Sequence, residues 1–568
     1  MPRIWLTRLV CILFTISFAC SSGRISIEGR VIDENDEPLP GAVVRVKAST
    51  LEAVTNNEGY FELTGITVGK TVFLTAWLSG YYINGVEDVR PGASDIEIIL
   101  HKHHDTDNTD YTWLPSITHE GQGENQGCAQ CHSRDLTNLT FTLPVDEWLQ
   151  DAHSQTAVNP RFLTMYTGRD IAGNQSPLTR YTNSQEYGRF PLRPDLSQPY
   201  FGPGYKLDFP DTTGNCAACH TPAAAINNPY GVDPTILTGV DAEGIPCDFC
   251  HKVWNVRLDP DTGLPYPNMP GILSYEFRRP PAGYQFFAGP FDDVAPGEDT
   301  FSPLQQQSQI CAPCHFGLFW DTRIYNSFGE WLESPYSDPE TGQVCQDCHM
   351  PSLGGTHFAL PDKGGEVRDP STIFSHRMPG AADVALLQNA VTLEVDAEIQ
   401  NNRVVVIVTI HNDKTGHHVP TDSPLRQMIL LVDVSDSQGN LLLQDEGPTI
   451  PDWGGIGDPD EGYYAQMPGT AYAKILEEVW TNVSPTGAYW NPTRVLSDNR
   501  IPAMGSDTTT YIFRSQDSEK TSELLPNQPI SIQAILLFRR AFIALMEQKQ
   551  WDMPDILMEE IHLDVGVP

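Results

Sequence analysis

The chain has 568 residues, enough for several domains. Its 35 Lys and Arg against 73 Asp and Glu leave a net charge of −38, which excludes a nucleic-acid-binding face because a polyanion repels phosphate. With 45 Gly, 46 Pro and 40% apolar residues, it belongs with folded, turn-rich chains and not with low-complexity ones.

Arg3 and Arg8 precede an apolar run over residues 9–19 (LVCILFTISFA) and the small residues that follow Cys20, the order of a secretory signal peptide spanning residues 1–20. The run is too short to span a bilayer, and later apolar stretches are of strand length or broken by Arg539 and Arg540. The expectation is an exported chain without a transmembrane span, periplasmic, cell-surface or extracellular. Ser17-Phe18-Ala19 fits a cleavage site, while Cys20 after it fits a lipoprotein signal, so a lipid anchor at Cys20 stands beside simple cleavage.

Residues 24–100 alternate short apolar strands (ISIEGRVI, AVVRVKA, GYFEL, TVFLTAW, DIEIIL) with Pro, Gly and Asn turns, the pattern of a small β-sandwich. Residues 101–110 form a polar linker, in which His101, His103 and His104 read as solvated.

Residues 111–384 hold ten cysteines in one repeated pattern: Cys128-Ala-Gln-Cys131-His132, Cys216-Ala-Ala-Cys219-His220, Cys247-Asp-Phe-Cys250-His251, Cys311-Ala-Pro-Cys314-His315 and Cys345-Gln-Asp-Cys348-His349. C-x-x-C-H is the signature of covalent c-type haem attachment. Its two thiols form thioethers with the vinyl groups, and the adjacent His becomes the proximal axial ligand. Disulfides need no His after every second Cys, and zinc knuckles work in pairs, which five units cannot all form. The reading is five covalently bound haem c groups with His132, His220, His251, His315 and His349 as proximal ligands. The rest of this region is irregular and rich in Pro and Gly, which predicts loops and short helices around haems that supply the core. Motifs two and three, and four and five, are close in sequence, predicting two close pairs with motif one at the edge.

A second imidazole on an iron makes an electron carrier, whereas an open position invites substrate chemistry. The distal candidates are His119, on a Gly-rich loop before motif one; His153, in VDEWLQDAHSQTAVNP, a short helix expected to end at Asn159-Pro160; His357 and His376, in loops after motif five; and His417, with the adjacent His418 as its alternative, in TGHHVPT. Met350 and Met378 beside the motifs read as packing, and His411 and His562 continue strand patterns. The acidic turns DPDTG, SDPETG and GDPDEG carry the carboxylates that calcium takes but not the EF-hand spacing, so they read as ordinary turns and calcium is only a weak reading.

Residues 385–568 return to strands: VTLEVDAEI, an Asn401-Asn402 turn, RVVVIVTI, MILLVDV, TYIFRS and PISIQAILLFRR. They predict a second sandwich, whose TGHHVPT loop reaches back to a haem. The expected fold class is multidomain: an irregular, mainly loop and short-helix multihaem domain flanked by two all-β sandwich domains.

Two resemblances attach to these residues. Gly29-Arg-Val-Ile-Asp33, Pro38-Leu-Pro-Gly-Ala-Val-Val44, Asn57-Glu-Gly-Tyr-Phe61 and Ser79-Gly-Tyr81 resemble a carboxypeptidase regulatory-like domain, an accessory β-sandwich that implies no peptidase activity. The segments NCAACHTP, CDFCHKVW, CAPCHFG, Glu330-Trp331 with Ser334-Pro-Tyr336, CQDCHMP and SHRMPGA, within residues 116–440, resemble the multihaem c-type cytochrome superfamily. In that superfamily the His of an SHxxPG stretch and of a GHxxPT loop are distal ligands, which the resemblance carries to His376 and His417. The superfamily also holds nitrite reductases and hydroxylamine oxidoreductases. The C-x-x-C-K motif of the former is missing here, since all five motifs end in His.

The functional expectation is a pentahaem electron carrier working with redox partner proteins, either cytochromes or an outer-membrane conduit, or with an extracellular acceptor. Self-assembly into a stack, with a neighbour supplying a distal His, is compatible with the sequence. The alternative is a reductase or oxidoreductase of a small nitrogen or sulfur compound at one five-coordinate haem.

Overall fold

Alternating apolar side chains build the first domain. A computed structural model describes residues 24–119, 127–134, 139–186, 188–294, 298–401, 403–514 and 529–566. The expected signal peptide with Cys20, the loop following His119 and the turn residue Asn402 lie outside the described residues. The chain forms two compact units, residues 1–103 with 291–301, and residues 104–290 with 302–568.

In the first unit the strands are β1 (Arg24–Asp33), β2 (Val43–Val46), β3 (Glu52–Val54), β4 (Tyr60–Thr67), β5 (Val72–Trp77), β6 (Asn84–Val89) and β7 (Ile96–Leu100). They make a three-stranded sheet in the order β4-β1-β7 and a four-stranded sheet in the order β3-β2-β5-β6. Ile27, Val31, Phe61, Leu63 and Ile98 of one sheet share a buried core with Val44, Leu74 and Ala76 of the other. Each of these side chains larger than alanine contributes about 1.5–3 kcal/mol by leaving water. A side chain at Gly29 would collide with the Ile96 carbonyl of β7 and the Phe61 ring of β4, so close approach on both sides of β1 demands glycine there. The segment 291–301, placed by its sequence inside the motif region, belongs to this unit. Asp292 receives the Arg45 guanidinium at 2.9 and 3.0 Å, Asp293 accepts from the Ala48 N–H at 2.7 Å, and Thr300 accepts from the Trp77 indole at 3.1 Å. His103 is buried beside Tyr82, their rings 5.8 Å apart, and not solvated as the polar linker suggested.

In the second unit, the motif region is a mesh of short helices, turns and two-stranded ribbons. Each C-x-x-C-H motif forms a helical turn: α1 (Ala129–His132), α2 (Ala217–His220), α3 (Cys247–Lys252), α4 (Ala312–His315) and α5 (Cys345–His349). A turn of helix brings both cysteines and the histidine to one side, since residues three and four apart share a face. The stretch around His153 is two helices, Pro144–Trp148 and Ala152–Gln155. Asn159 does not end them. It caps the next helix, Pro160–Thr167, by accepting from the Arg161 N–H at 3.0 Å, with Pro160 in the first turn where its missing N–H is not needed.

Apart from a two-stranded ribbon of Lys474–Glu478 and Thr493–Asp498, the strands of the C-terminal region are β8 (Thr392–Gln400), β9 (Arg403–His411), β10 (Gln427–Ser435), β11 (Leu443–Glu446), β12 (Gly469–Tyr472), β13 (Ser506–Arg514), β14 (Ile530–Arg539) and β15 (Ile556–Val565). They pair as two four-stranded sheets, β8-β9-β13-β11 and β12-β10-β14-β15. Alternate residues of β9 (Val404, Val406, Val408, Ile410) and β13 (Tyr511, Phe513) pack on those of β10 (Met428, Leu430, Val432, Val434) and β14 (Ile532, Ala534, Leu536, Phe538). Among these strands β11, β12 and β15 are additions to the expected set, short or interrupted by exposed charges. No helix among the described residues is long and apolar enough to cross a membrane.

Candidate functional site

The five motifs lie against one another in the second unit. The Cys128 thiol lies close enough to that of Cys247 to interact with it electrostatically, as do Cys219 with Cys314 and Cys311 with Cys345. Motif one therefore abuts motif three and is not peripheral, and motif four touches both two and five. Ala217, Ala218 and Phe249, from α2 and α3, share one apolar cluster with Tyr275, against which Cys250 and Cys314 pack. Gly271, at φ 56°, admits this packing, because a β-carbon there would press into the Ala218 carbonyl and to 2.9 Å from Cys219 Sγ. None of the ten motif cysteines is joined to another in a disulfide, and no group of three or more His, Cys, Asp and Glu among the described residues is arranged to hold a metal ion by itself.

Three motif histidines face a second imidazole. His251 and His376 have ring centres 6.4 Å apart, His349 and His417 6.3 Å, and His153 and His315 6.2 Å. Two imidazoles bound through Nε2 to opposite sides of one metal have centres roughly 6 Å apart, because each metal–nitrogen bond is about 2 Å and each ring centre lies about 1 Å behind its nitrogen. The rings thus stand at the separation that a metal ion held between them would require.

At four of these histidines the second ring nitrogen is occupied in a way that suits ligation, while Nδ1 of His220 and of His376 is buried without a partner. His132 Nδ1 meets the Phe358 carbonyl at 2.7 Å, His251 that of Ala288 at 2.8 Å, His349 that of Pro379 at 2.8 Å and His417 that of His418 at 2.9 Å. An Nδ1–H donating to a carbonyl leaves Nε2 with its lone pair. Burial favours the neutral form of two of these imidazoles: it drives His220 down to about 4 and His376, with help from neighbouring His251 and His132, down to about 3.

Buried carboxylates hold two of the facing loops. Glu147 accepts from the His376 main-chain N–H at 2.8 Å. Glu330 accepts from the His418 N–H at 3.2 Å, from Thr421 Oγ1 and from Arg500 Nη1 at 2.7 Å. Burial raises the Glu330 pKa, but these partners outweigh it and hold the group at about 2. His418 is thus a strut for the loop, its own Nδ1 3.0 Å from Glu330, while His417 turns towards His349. Glu330 was visible in the sequence only as part of a resemblance. Asp151, whose Oδ2 is 2.6 Å from His153 Nδ1, was not singled out, although its place two residues earlier was the available signal.

Two candidates are not brought opposite a motif histidine. His119 Nε2 is 2.5 Å from Glu243 Oε1, and His357 stacks on Phe141 at 5.5 Å with Nδ1 2.9 Å from Thr356 Oγ1. His132 packs on Phe358 at 6.2 Å and His220 on Phe162 at 3.9 Å. The latter is a face-to-face stack on the flank of the imidazole, which fixes the ring but is not the end-on geometry of a trans ligand. The expected five imidazole pairs are therefore three among the described residues.

His411 and His562 lie on β9 and β15 beside Glu394 and Glu560. In the acidic turns Asp259, Asp338 and Asp458 each accept from the main-chain N–H two residues on, so these carboxylates close their own turns.

Residues 26–100 match the carboxypeptidase regulatory-like domain family. No curated protein matches the chain. Among solved structures, a penta-heme cytochrome c552 from Thermochromatium tepidum is similar over 77% of this chain and 97% of that chain, with TM-score 0.50 and 16% identity. A cohesin–X-dockerin complex from Acetivibrio cellulolyticus matches over 14% of this chain and 58% of that chain, with 18% identity and a TM-score of 0.13. The first likeness is one of fold; the second is confined to a small part of the chain.

Proposed function

We propose that this protein is an exported pentahaem c-type cytochrome that carries electrons to or from a redox partner protein or an extracellular acceptor. The observation that carries the reading is the set of three imidazole pairs, each joining a C-x-x-C-H histidine to a histidine from a distant segment at 6.2–6.4 Å. The fold likeness to a penta-heme cytochrome supports it. Bound haem supplies a ferric–ferrous couple that takes and gives one electron. The chain's part is to tether each haem through the paired cysteines, to present imidazoles from both sides at three of the motifs, and to keep the motifs in mutual contact so that successive haems are neighbours. Two imidazoles already in place leave little to rearrange on a change of oxidation state.

A net charge of −38 steers a basic partner to the surface at low salt. The N-terminal signal pattern supports export, with Cys20 as the point of a lipid anchor. The test is haem content by pyridine haemochrome with the intact mass of the purified protein. Five haems per chain are expected, and loss of one haem for each Cys pair changed to Ala. A protein without covalent haem, holding zinc or disulfides at these cysteines, overturns the reading.

A second reading rests on His132 and His220, which no imidazole faces at the trans spacing among the described residues. An iron held there is open to a small nitrogen or sulfur compound, and the chain would then be a reductase. Nitrite, hydroxylamine or cyanide shifting the ferric spectrum would favour it, and an unmoved spectrum would sink it.

A further inference from the structure

His153 and His315 differ from the other facing pairs in what meets their second ring nitrogen. For His251, His349 and His417 it is a main-chain carbonyl, and His376 Nδ1 meets no acceptor. His153 Nδ1 instead stands 2.6 Å from Asp151 Oδ2, and His315 Nδ1 stands 4.0 Å from Asp422 Oδ1. The Asp151 side chain is 1% exposed, so water does little to screen its charge. Asp422 adopts φ 66°, an uncommon conformation for a residue with a side chain, and shares its charge with Arg426 at 3.5 Å. The two rings cross at 71°, while the other pairs lie at 23° and 18°.

We propose that Asp151, seconded by Asp422, makes the iron held between His153 and His315 the site of lowest reduction potential in the protein. The inference rests on the five-haem reading above. A carboxylate accepting from Nδ1–H pushes electron density through the ring to Nε2 and makes it a stronger donor, and a nearby negative charge favours the ferric state over the ferrous one. A main-chain carbonyl does both more weakly. The chosen site is also central: its motif contacts motif two through Cys314 and Cys219, and motif five through Cys311 and Cys345. Electrons then cross motif four without resting on it, and accumulate on either side.

The test is a dithionite titration of the haem-loaded full chain, followed by low-temperature EPR against the measured potential. Imidazole planes that cross steeply leave two iron d orbitals nearly degenerate and give a ferric signal with a large maximal g value; nearly parallel planes give rhombic signals. The large-g signal, assigned by its loss in His153→Ala, is expected to bleach last, as each iron takes one electron from dithionite. In Asp151→Asn, which keeps an acceptor but removes the charge, it bleaches earlier, with the reduction equilibrium raised at least tenfold, or 59 mV for one electron. Asp151→Glu brings it back towards the original value, while the rhombic signals stay in place. A large-g signal that bleaches before the rhombic ones overturns the inference, as does an Asp151→Asn value equal to the unsubstituted one. The order of bleaching in the unsubstituted protein decides the matter even where the variant does not fold. Fewer than five haems by haemochrome overturns the functional reading instead, and five haems with the wrong order overturns this inference alone.

Discussion

Glu330 and His418 meet carboxylate to imidazole at 3.0 Å, and through this contact the loop bearing His417 is pinned so that its ring faces His349. Arg500, whose side chain is 6% exposed, completes the knot at 2.7 Å from the same carboxylate. Glu330→Gln leaves that guanidinium with Asp498 as its remaining counter-charge and is expected to cost about 1–3 kcal/mol through the weakened buried contacts. Denaturant unfolding measures the loss, and the spectrum of one haem should change with it. A variant as stable as the original refutes the role given to Glu330.

The facing pairs make a sharper prediction for ligands. His376→Ala and His417→Ala should each convert one low-spin site into one that binds added imidazole or carbon monoxide, read in the visible spectrum. His357→Ala and His119→Ala should leave the number of ligand-accessible sites unchanged, because neither ring faces a motif histidine. New carbon monoxide binding in His357→Ala would contradict the geometry.

Arg539, 1% exposed on β14, forks onto Asp555 at 2.8 and 2.7 Å and donates to the Gly454 and Gly462 carbonyls at 2.9 and 2.6 Å. Arg539→Ala removes a buried partner from Asp555 and from two carbonyls, and a loss of about 3–5 kcal/mol is expected in denaturant titration. A change within experimental error would show that the fork is not needed.

Lys549 is fully buried, its Nζ donating to the carbonyls of Thr164 and Arg169 at 3.0 Å each and to that of Pro203. Burial lowers its pKa to about 7. An unfolded lysine titrates near about 10.4. Between the two values the unfolded chain holds a proton that the folded one lacks, so stability should rise as pH increases from about 7 towards about 10. Lys549→Met should flatten that slope and lower stability by about 3 kcal/mol through unsatisfied carbonyls. Thermal midpoints across this pH range check both statements.

How much was legible in sequence differs from residue to residue. The ten cysteines and their histidines needed no structure, because C-x-x-C-H is a fixed local spacing that recurs five times. Strands such as β9 and β14 were legible because alternation has period two whatever the strand packs against. His376 and His417 were reached through resemblance, and their partners, His251 and His349, were not assigned beforehand. Their pairing joins residues more than sixty apart in the chain, and no local pattern records which loop returns to which helix. Motif one lies against motif three for the same reason: spacing along the chain limits reach but does not set proximity.

The sequence by itself determined the five C-x-x-C-H motifs, the sign of the net charge and the two stretches of alternating strands, all properties of local spacing or composition. Only the tertiary structure decided which imidazoles face each other, that His119 and His357 turn instead to Glu243 and Phe141, and that Asp151 reaches His153 while other ring nitrogens meet carbonyls. Those outcomes depend on angles and separations of a few ångströms between distant segments, set by how the whole second unit buries its apolar surface and satisfies its buried charges.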